Sequence, residues 1–408
     1  MEQIKKFLKF VQENKLYPDV KLISGSPTAT EIVINGRKIL VFCSNDYLGL
    51  ANSALLKKAA HEAIDKYGVG SGGSRLISGN TDIQVELERA IAEFKGGESA
   101  ITFSTGYMAN TGAIPAIMDV VGNIKKLGNK IIALPSLKKN IILSDELNHA
   151  SIIDGCRLTH SKIVVYKHKN VKDLENKLKK YKSRRKLIVT DGVFSMDGDI
   201  APLPEIVSLA KKYNAITMVD DAHASGVLGR NGRGTTEYFG LKESDVNIIM
   251  GTFTKAFGGV GGFIVGSKDL TDFLRITARS YIFSAPIPPT ISASLIAAIK
   301  EARNNTKLRE NLWSNVNYLK NNLKKMGFDT LSSETQIIPV LIGEEAKAIE
   351  FSELLFEAGI LAPCVRWPAV PWGKARLRLT IKATHTREQI DKLLENIEKI
   401  GRKLRIVN

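Results

Sequence analysis

Cysteine is scarce in this chain. Three residues, Cys43, Cys156 and Cys364, are spread over 408 positions with no CxxC pair. An odd, scattered set excludes a disulfide framework and a cysteine-held metal, and no metal site is expected. Long apolar runs are missing too: none approaches the roughly 20 residues of a membrane-spanning helix. The opening segment, Met1 to Val11, lacks the apolar core and small-residue cleavage site of a secretory signal. It reads instead as a short amphipathic helix, and a cytoplasmic protein is expected. Aromatic residues make up only 7% and do not interleave with the basic clusters, so the net charge of +16 reads as a lysine-rich solvated surface, not a nucleic-acid interface.

With 44% hydrophobic and 25% charged residues, the chain has the composition of a soluble globular protein. Residues 31–42 predict two short strands around the turn Asn35-Gly36, a common hairpin signal. A glycine-rich loop, Gly68 to Arg75, lies between predicted helices at 54–67 and 82–94. Apolar strand candidates then alternate with helical stretches at 99–103, 141–143, 163–166, 187–190, 216–219, 248–250 and 262–265. Near-continuous apolar runs of this kind predict an α/β fold, with a mainly parallel seven-stranded sheet between helices. After Pro286-Ile287-Pro288-Pro289 a long helix at 290–326, shorter strands and two more helices predict a smaller C-terminal α+β domain. The expected division is 1–45, an N-terminal helix and short strands; 46–288, the large domain; and 289–408, the small one. Residues 122–140, rich in Gly and Lys, read as a surface insertion.

Ligands of such sheets gather at the carboxyl ends of the strands. Gly106, His149, Asp191, Asp220, His223 and Lys255 all fall at or just beyond those ends. Lys255 stands alone among small and apolar residues in Gly251-Thr252-Phe253-Thr254-Lys255-Ala256-Phe257-Gly258-Gly259, and Asp220 ends the run Met218-Val219-Asp220. One strand delivering a carboxylate beside another delivering a lysine is what a pyridoxal phosphate enzyme needs. The lysine forms the Schiff base and the carboxylate keeps the pyridine nitrogen protonated. Desolvation eases deprotonation of the amine. Gly106 and Tyr107 open a helix after a strand, where their N–H groups can cradle a phosphate.

These motifs, in this order, resemble the α-oxoamine synthase family of fold-type I pyridoxal phosphate enzymes. They are Ser44-Asn45-Asp46-Tyr47-Leu48-Gly49-Leu50, Gly72-Gly73-Ser74-Arg75, Phe103-Ser104-Thr105-Gly106-Tyr107, Asn148-His149-Ala150-Ser151, Asp191 to Gly198, Val219-Asp220-Asp221-Ala222-His223, the Lys255 segment and Ala375-Arg376-Leu377-Arg378. The resemblance implies that His149 stacks on the pyridine ring, Asp220 bonds its nitrogen and His223 bonds the phenolic oxygen. It also implies that Ser195 lines the cofactor and that Thr252 and Thr254 lie near the phosphate. Arg378, assisted by Asn45, would grip the amino-acid carboxylate, and Ser284 would reach a neighbouring subunit's phosphate in a homodimer.

The implied reaction condenses a small amino acid with an acyl-CoA to give an aminoketone; a positive surface field suits the polyanionic coenzyme. The stretch Ala362 to Pro371 leans toward members that use a pimeloyl thioester with L-alanine, ahead of those that use acetyl-CoA with glycine, and then of those that use palmitoyl-CoA with serine, which Phe103 to Asn110 and Tyr281 to Ser284 resemble. Gln84 stands where the family usually has histidine. Ala369 and Trp367 stand where threonine and proline are common on the acyl side. No arginine is evident near the N-terminus for a pimeloyl carboxylate, with Lys15 and Lys21 as the basic residues there.

Overall fold

The computed structural model describes the chain except residues 14–19, 121–123, 128–129, 134–139 and 182–183. Lys15 and part of the 122–140 segment therefore lie outside the described residues. Within that segment Ile124–Leu127 and Lys130–Ala133 pair as an antiparallel ribbon.

Seven strands form the central sheet: β1 (Ser99–Phe103), β2 (Ile141–Asp145), β3 (Lys162–Tyr166), β4 (Lys186–Asp191), β5 (Ile216–Asp220), β6 (Ile248–Thr252) and β7 (Gly262–Gly266). Their spatial order is β1-β7-β6-β5-β4-β2-β3. The strands from β3 across to β6 pair in parallel; β7 alone runs against its neighbours, antiparallel to both β6 and β1. This is the mainly parallel sheet expected from the apolar runs.

Those runs are continuous because both faces are covered. Val219, Ile249, Phe263 and Val265 pack on one side with Leu87, Ile91, Phe94, Leu295 and Ile299. Their neighbours Met218, Ile248, Met250 and Ile264 pack on the other with Ala109, Ala113, Ile152 and Leu274. Period-two alternation sends successive residues to opposite cores, so no polar face is left. Each such side chain contributes about 1.5–3 kcal/mol when fully buried.

The hairpin forms as expected from Glu31–Ile34 and Arg37–Val41, with Asn35 at φ 50° and Gly36 at φ 74° in the left-handed region of its tight turn. Its second strand also pairs in parallel with Ile360–Leu361, so the N-terminal segment belongs structurally with the C-terminal end of the chain. Farther along, the Thr380 N–H donates to Phe42 and the Ala383 N–H to Tyr47, drawing residues 42–47 along the strand Ala375–Thr380. That strand is central in a three-stranded sheet with Ile337–Gly343 and Cys364–Val365. The single helix expected over 290–326 is in fact two, Pro289–Asn304 and Thr306–Lys325. Asn305 breaks it with non-helical φ −100°, ψ 84°, and its side chain donates to Glu301 at 2.8 Å. The Asn305 N–H still closes the last helical bond, to the Glu301 carbonyl at 2.9 Å, and the chain turns away at its ψ.

His168, just past β3, clamps two strand ends. Its Nδ1 lies 3.0 Å from Asp145 at the end of β2, and its Nε2 lies 2.9 Å from Asp199, beyond the turn that follows β4. Burial alone would lower its pKa, but the bonds to Asp145 and Asp199 win and raise it to about 9. The folded value exceeds the unfolded one, so this stabilisation is complete below about pH 6.5 and is lost as pH rises through 9. After allowance for partial solvent screening it is worth roughly 1–2 kcal/mol. His168→Gln is expected to remove that part of the pH dependence from the urea-unfolding free energy measured between pH 6 and 10.

Candidate active site

The sheet register sets the site. Asp220, the last residue of β5, pairs with Asp191 on β4 and with Met250 on β6. Lys255 follows β6 by three residues, on a loop whose Gly258 (φ 68°) presses on the N-terminal segment. A Cβ there would lie 2.4 Å from the Ala51 nitrogen. Among the described residues Lys255 holds no ion pair or hydrogen bond. Burial lowers its pKa to about 8, against the opposing pull of Asp220 and Asp191 and with help from Arg378. Roughly a tenth of the amine is therefore unprotonated near pH 7, against well under a thousandth for an exposed lysine.

Asp220 is held at both oxygens. Oδ1 accepts the Ala222 N–H at 3.0 Å and Oδ2 accepts Asn110 Nδ2 at 2.8 Å. Burial, and then the charge of Asp220, raise the pKa of Asp191 well above the usual carboxylate range. Asp191 accepts the His149 N–H at 2.8 Å, which fixes the start of the His149 loop.

His149 keeps surface open to solvent while its ring is partly enclosed by the site, and its orientation follows from its partners. The Ser151 N–H donates to Nδ1 at 3.2 Å, and the Ser151 hydroxyl lies 2.8 Å from the same atom. Nδ1 is thus an acceptor, and the hydrogen sits on Nε2. Burial by its surroundings lowers its pKa, with Asp220 opposing and Lys255 assisting. Asn110 joins this histidine to Asp220, because its amide also donates to Ser151 Oγ at 2.8 Å. The buried Oδ1 of Asn110 is left without a protein partner.

Gly106 and Tyr107 start the helix Gly106–Pro115, whose cap Thr105 accepts the Met108 N–H at 3.1 Å. The first N–H groups of a helix have no carbonyl in it to meet. Gly106 lies against β6 and β7: a Cβ on it would lie 3.3 Å from Thr252 Oγ1, and one on Gly262 would lie 2.6 Å from the Gly106 Cα. The Thr252 hydroxyl donates to the Gly261 carbonyl at 2.7 Å, with Thr254 Oγ1 at 3.1 Å. Helix start and both threonines thus share one corner. The Tyr107 hydroxyl pairs with Asp154 instead. Ser284 lies beside this corner, 3.9 Å from Met108 Sδ.

Across the site, Arg378 Nε donates to the Ser195 carbonyl at 2.6 Å, and both terminal nitrogens lie 3.4 Å from Asn45 Oδ1. Ser195 contacts the arginine through its backbone here. His223 is buried, and burial followed by the charges of Lys255, Arg378 and His149 depresses its pKa well below the usual imidazole range. Gln84 caps its own helix, accepting the Thr81 N–H at 3.2 Å and donating to the Ile287 carbonyl at 2.8 Å. Trp367 and Ala369 lie exposed in the turn ahead of the Arg378 strand.

Sequence reasoning assigned no role to Asn110, Ser151 or Tyr47. Asn110 carried one usable signal: it lies four residues after Gly106, on the same helix face. The residues present fit pyridoxal phosphate. They supply a lysine with a depressed pKa, a carboxylate held by two hydrogen bonds, and a glycine-faced corner at a helix start.

The Aminotransferase class I and II family pattern matches residues 37–397. The chain belongs to that family, and its architecture is that of the fold-type I pyridoxal phosphate transferases. It is 47% identical to the 8-amino-7-oxononanoate synthase of Thermoanaerobacter pseudethanolicus, over 100% of this chain and 98% of the relative. Likeness to the enzyme of that name from Thermosipho melanesiensis is also 47%, over 98% of each. Among solved structures, serine palmitoyltransferase from S. paucimobilis, with bound PLP–myriocin aldimine, superposes with TM-score 0.91 at 34% identity, covering 100% of this chain and 99% of that one. The 8-amino-7-oxononanoate synthase from Francisella tularensis gives 0.74 at 30%, covering 90% and 99%.

Lys95 secures the turn that carries His223. It is fully buried and donates to Asp221 Oδ2 at 2.8 Å, to Ser225 Oγ at 3.1 Å and to the Arg233 carbonyl. Lys95→Met would take the counter-charge from Asp221, leaving it the Thr235 N–H and hydroxyl as donors, at an expected cost of roughly 3–5 kcal/mol. The urea midpoint should fall accordingly, and adding Asp221→Leu should restore much of the loss.

Proposed function

We propose that this chain carries out the 8-amino-7-oxononanoate synthase reaction, joining a pimeloyl thioester to L-alanine with loss of carbon dioxide. The thioester is carried by coenzyme A or a carrier protein. The observation that carries this reading is the unpaired amine of Lys255, with a pKa of about 8, within the electrostatic reach of Arg378 and Asp220. Whole-length relatives of that name support the choice of substrates.

Pyridoxal phosphate, when bound, supplies an electron sink for a carbanion at the amino acid's α-carbon. Lys255 would hold it covalently, Asp220 would keep its ring nitrogen protonated, and Gly106, Tyr107, Thr252 and Thr254 would hold its phosphate. Arg378 and Asn45 orient the amino acid by its carboxylate, a match for the planar guanidinium. Lys255 Nζ, as the neutral amine, would take the α-proton. Nε2–H of His149 polarises the thioester carbonyl as the α-carbon attacks. A carbon–carbon bond forms, the thiolate leaves, carbon dioxide is lost, and Lys255 returns a proton to the α-carbon. The buried, neutral His223 would serve as a donor to the cofactor's phenolic oxygen. Among the described residues no helix is long and apolar enough to cross a membrane, and the work is assigned to the cytoplasm.

Serine palmitoyltransferase activity is the second reading, favoured by the higher TM-score of that enzyme. Glycine acetylation is the third. Thiol release by cofactor-loaded protein, given pimeloyl-CoA with L-alanine, palmitoyl-CoA with L-serine or acetyl-CoA with glycine, separates them. The first pair is expected to be fastest; a faster rate with either other pair reassigns the acyl donor. Lys255→Ala should abolish turnover and Arg378→Ala should raise the amino-acid KM by about 10²-fold, the scale of a lost charge-assisted pair. A homodimer is also proposed, with Ser284 reaching the partner's phosphate site. Sedimentation should then give twice the chain mass of 44.8 kDa.

A further inference from the structure

Tyr47 lies where the polar contacts of the site converge. Its ring is fully buried. The hydroxyl is 2.6 Å from His223 Nδ1 and 3.1 Å from Asn45 Oδ1. A hydroxyl has one hydrogen and can donate to only one of them. Asn45 Oδ1 already has Arg378 as a donor. Among the described residues, Nδ1 of His223 has Tyr47 alone. The shorter contact is also the one to Nδ1. Gln336 Nε2 donates to the His223 carbonyl at 2.8 Å and holds the backbone of this turn, so the imidazole presents the same edge to Tyr47. Burial pushes the Tyr47 phenol up to about 12, and it keeps its hydrogen. The imidazole is neutral, because burial and the charges of Lys255, Arg378 and His149 oppose a second proton. One ring nitrogen carries hydrogen and the other a lone pair, and the neighbour of Nδ1 decides which.

We infer that Tyr47 is a positioning residue that donates to Nδ1 of His223 and so keeps the imidazole hydrogen on Nε2, where it serves the cofactor's phenolic oxygen. The inference rests on the proposed role of His223. A donor at the phenolic oxygen draws off the charge that holds the neighbouring Schiff-base proton. Without that donor the proton is held to higher pH.

The test follows the visible absorbance of the cofactor-loaded protein against pH in the wild type, Tyr47→Phe, His223→Ala and the double variant. Tyr47→Phe is expected to move the midpoint up by about half to one pH unit, the scale of one hydrogen bond. His223→Ala should move it in the same direction, and Tyr47→Phe should add nothing to His223→Ala. An unmoved midpoint in Tyr47→Phe, or full additivity in the double variant, overturns the inference. An unmoved midpoint in His223→Ala overturns the reading of His223 itself. Should Tyr47→Phe fail to fold or to hold cofactor, 3,5-difluorotyrosine at position 47 keeps the shape and strengthens the donor. The midpoint should then fall; one that rises or stays overturns the inference.

Discussion

The chemistry of this protein depends on the parallel pairing of β4, β5 and β6. That register brings Asp191, Asp220 and the approach to Lys255 to one edge of the sheet. Side chains alternate with a period of two, so a slip of one residue would turn Asp220 into the apolar core and Val219 into the site. The cores on both faces oppose such a slip. Val219 and Ile249 fill one and Met218 and Ile248 the other, and neither set can exchange with a charged neighbour without desolvating it.

With the backbone register set, the charges adjust one another. Lys255 lies among groups of both signs, and burial outweighs the nearby carboxylates in lowering its pKa. Asp191 and Asp220 stand side by side, and burial first, then the charge of Asp220, raises the pKa of Asp191 well above the usual carboxylate range. Asn110 and Ser151 then join the helix Gly106–Pro115, the His149 loop and Asp220 in one largely buried polar network. Such networks hold geometry well when their members are satisfied.

Much of this was legible along the chain. The helix at Ala54–Tyr67, the Asn35-Gly36 turn and all seven central strands follow from local pattern, since apolar runs and turn residues act over a few positions. The neighbourhood of Lys255 with Asp220 was legible through motif order. Two kinds of feature were not. The break at Asn305 is a change of backbone dihedral at a single residue, which hydrophobic periodicity does not register. The partners of Tyr47 and Asn110 lie 176 and 110 residues away, and nothing in a local window identifies them.

The sequence by itself determined which segments become strands and helices, and which residue types can do the chemistry, because hydrophobic period and side-chain chemistry are local properties. Only the tertiary structure decided that Arg378 reaches Asn45 across 333 positions, that Lys255 loses enough water to bring its pKa to about 8, and that a buried phenol stands against His223. Those outcomes depend on desolvation and on distances of a few ångströms, and neither exists until the N-terminal segment has been drawn along the C-terminal strand.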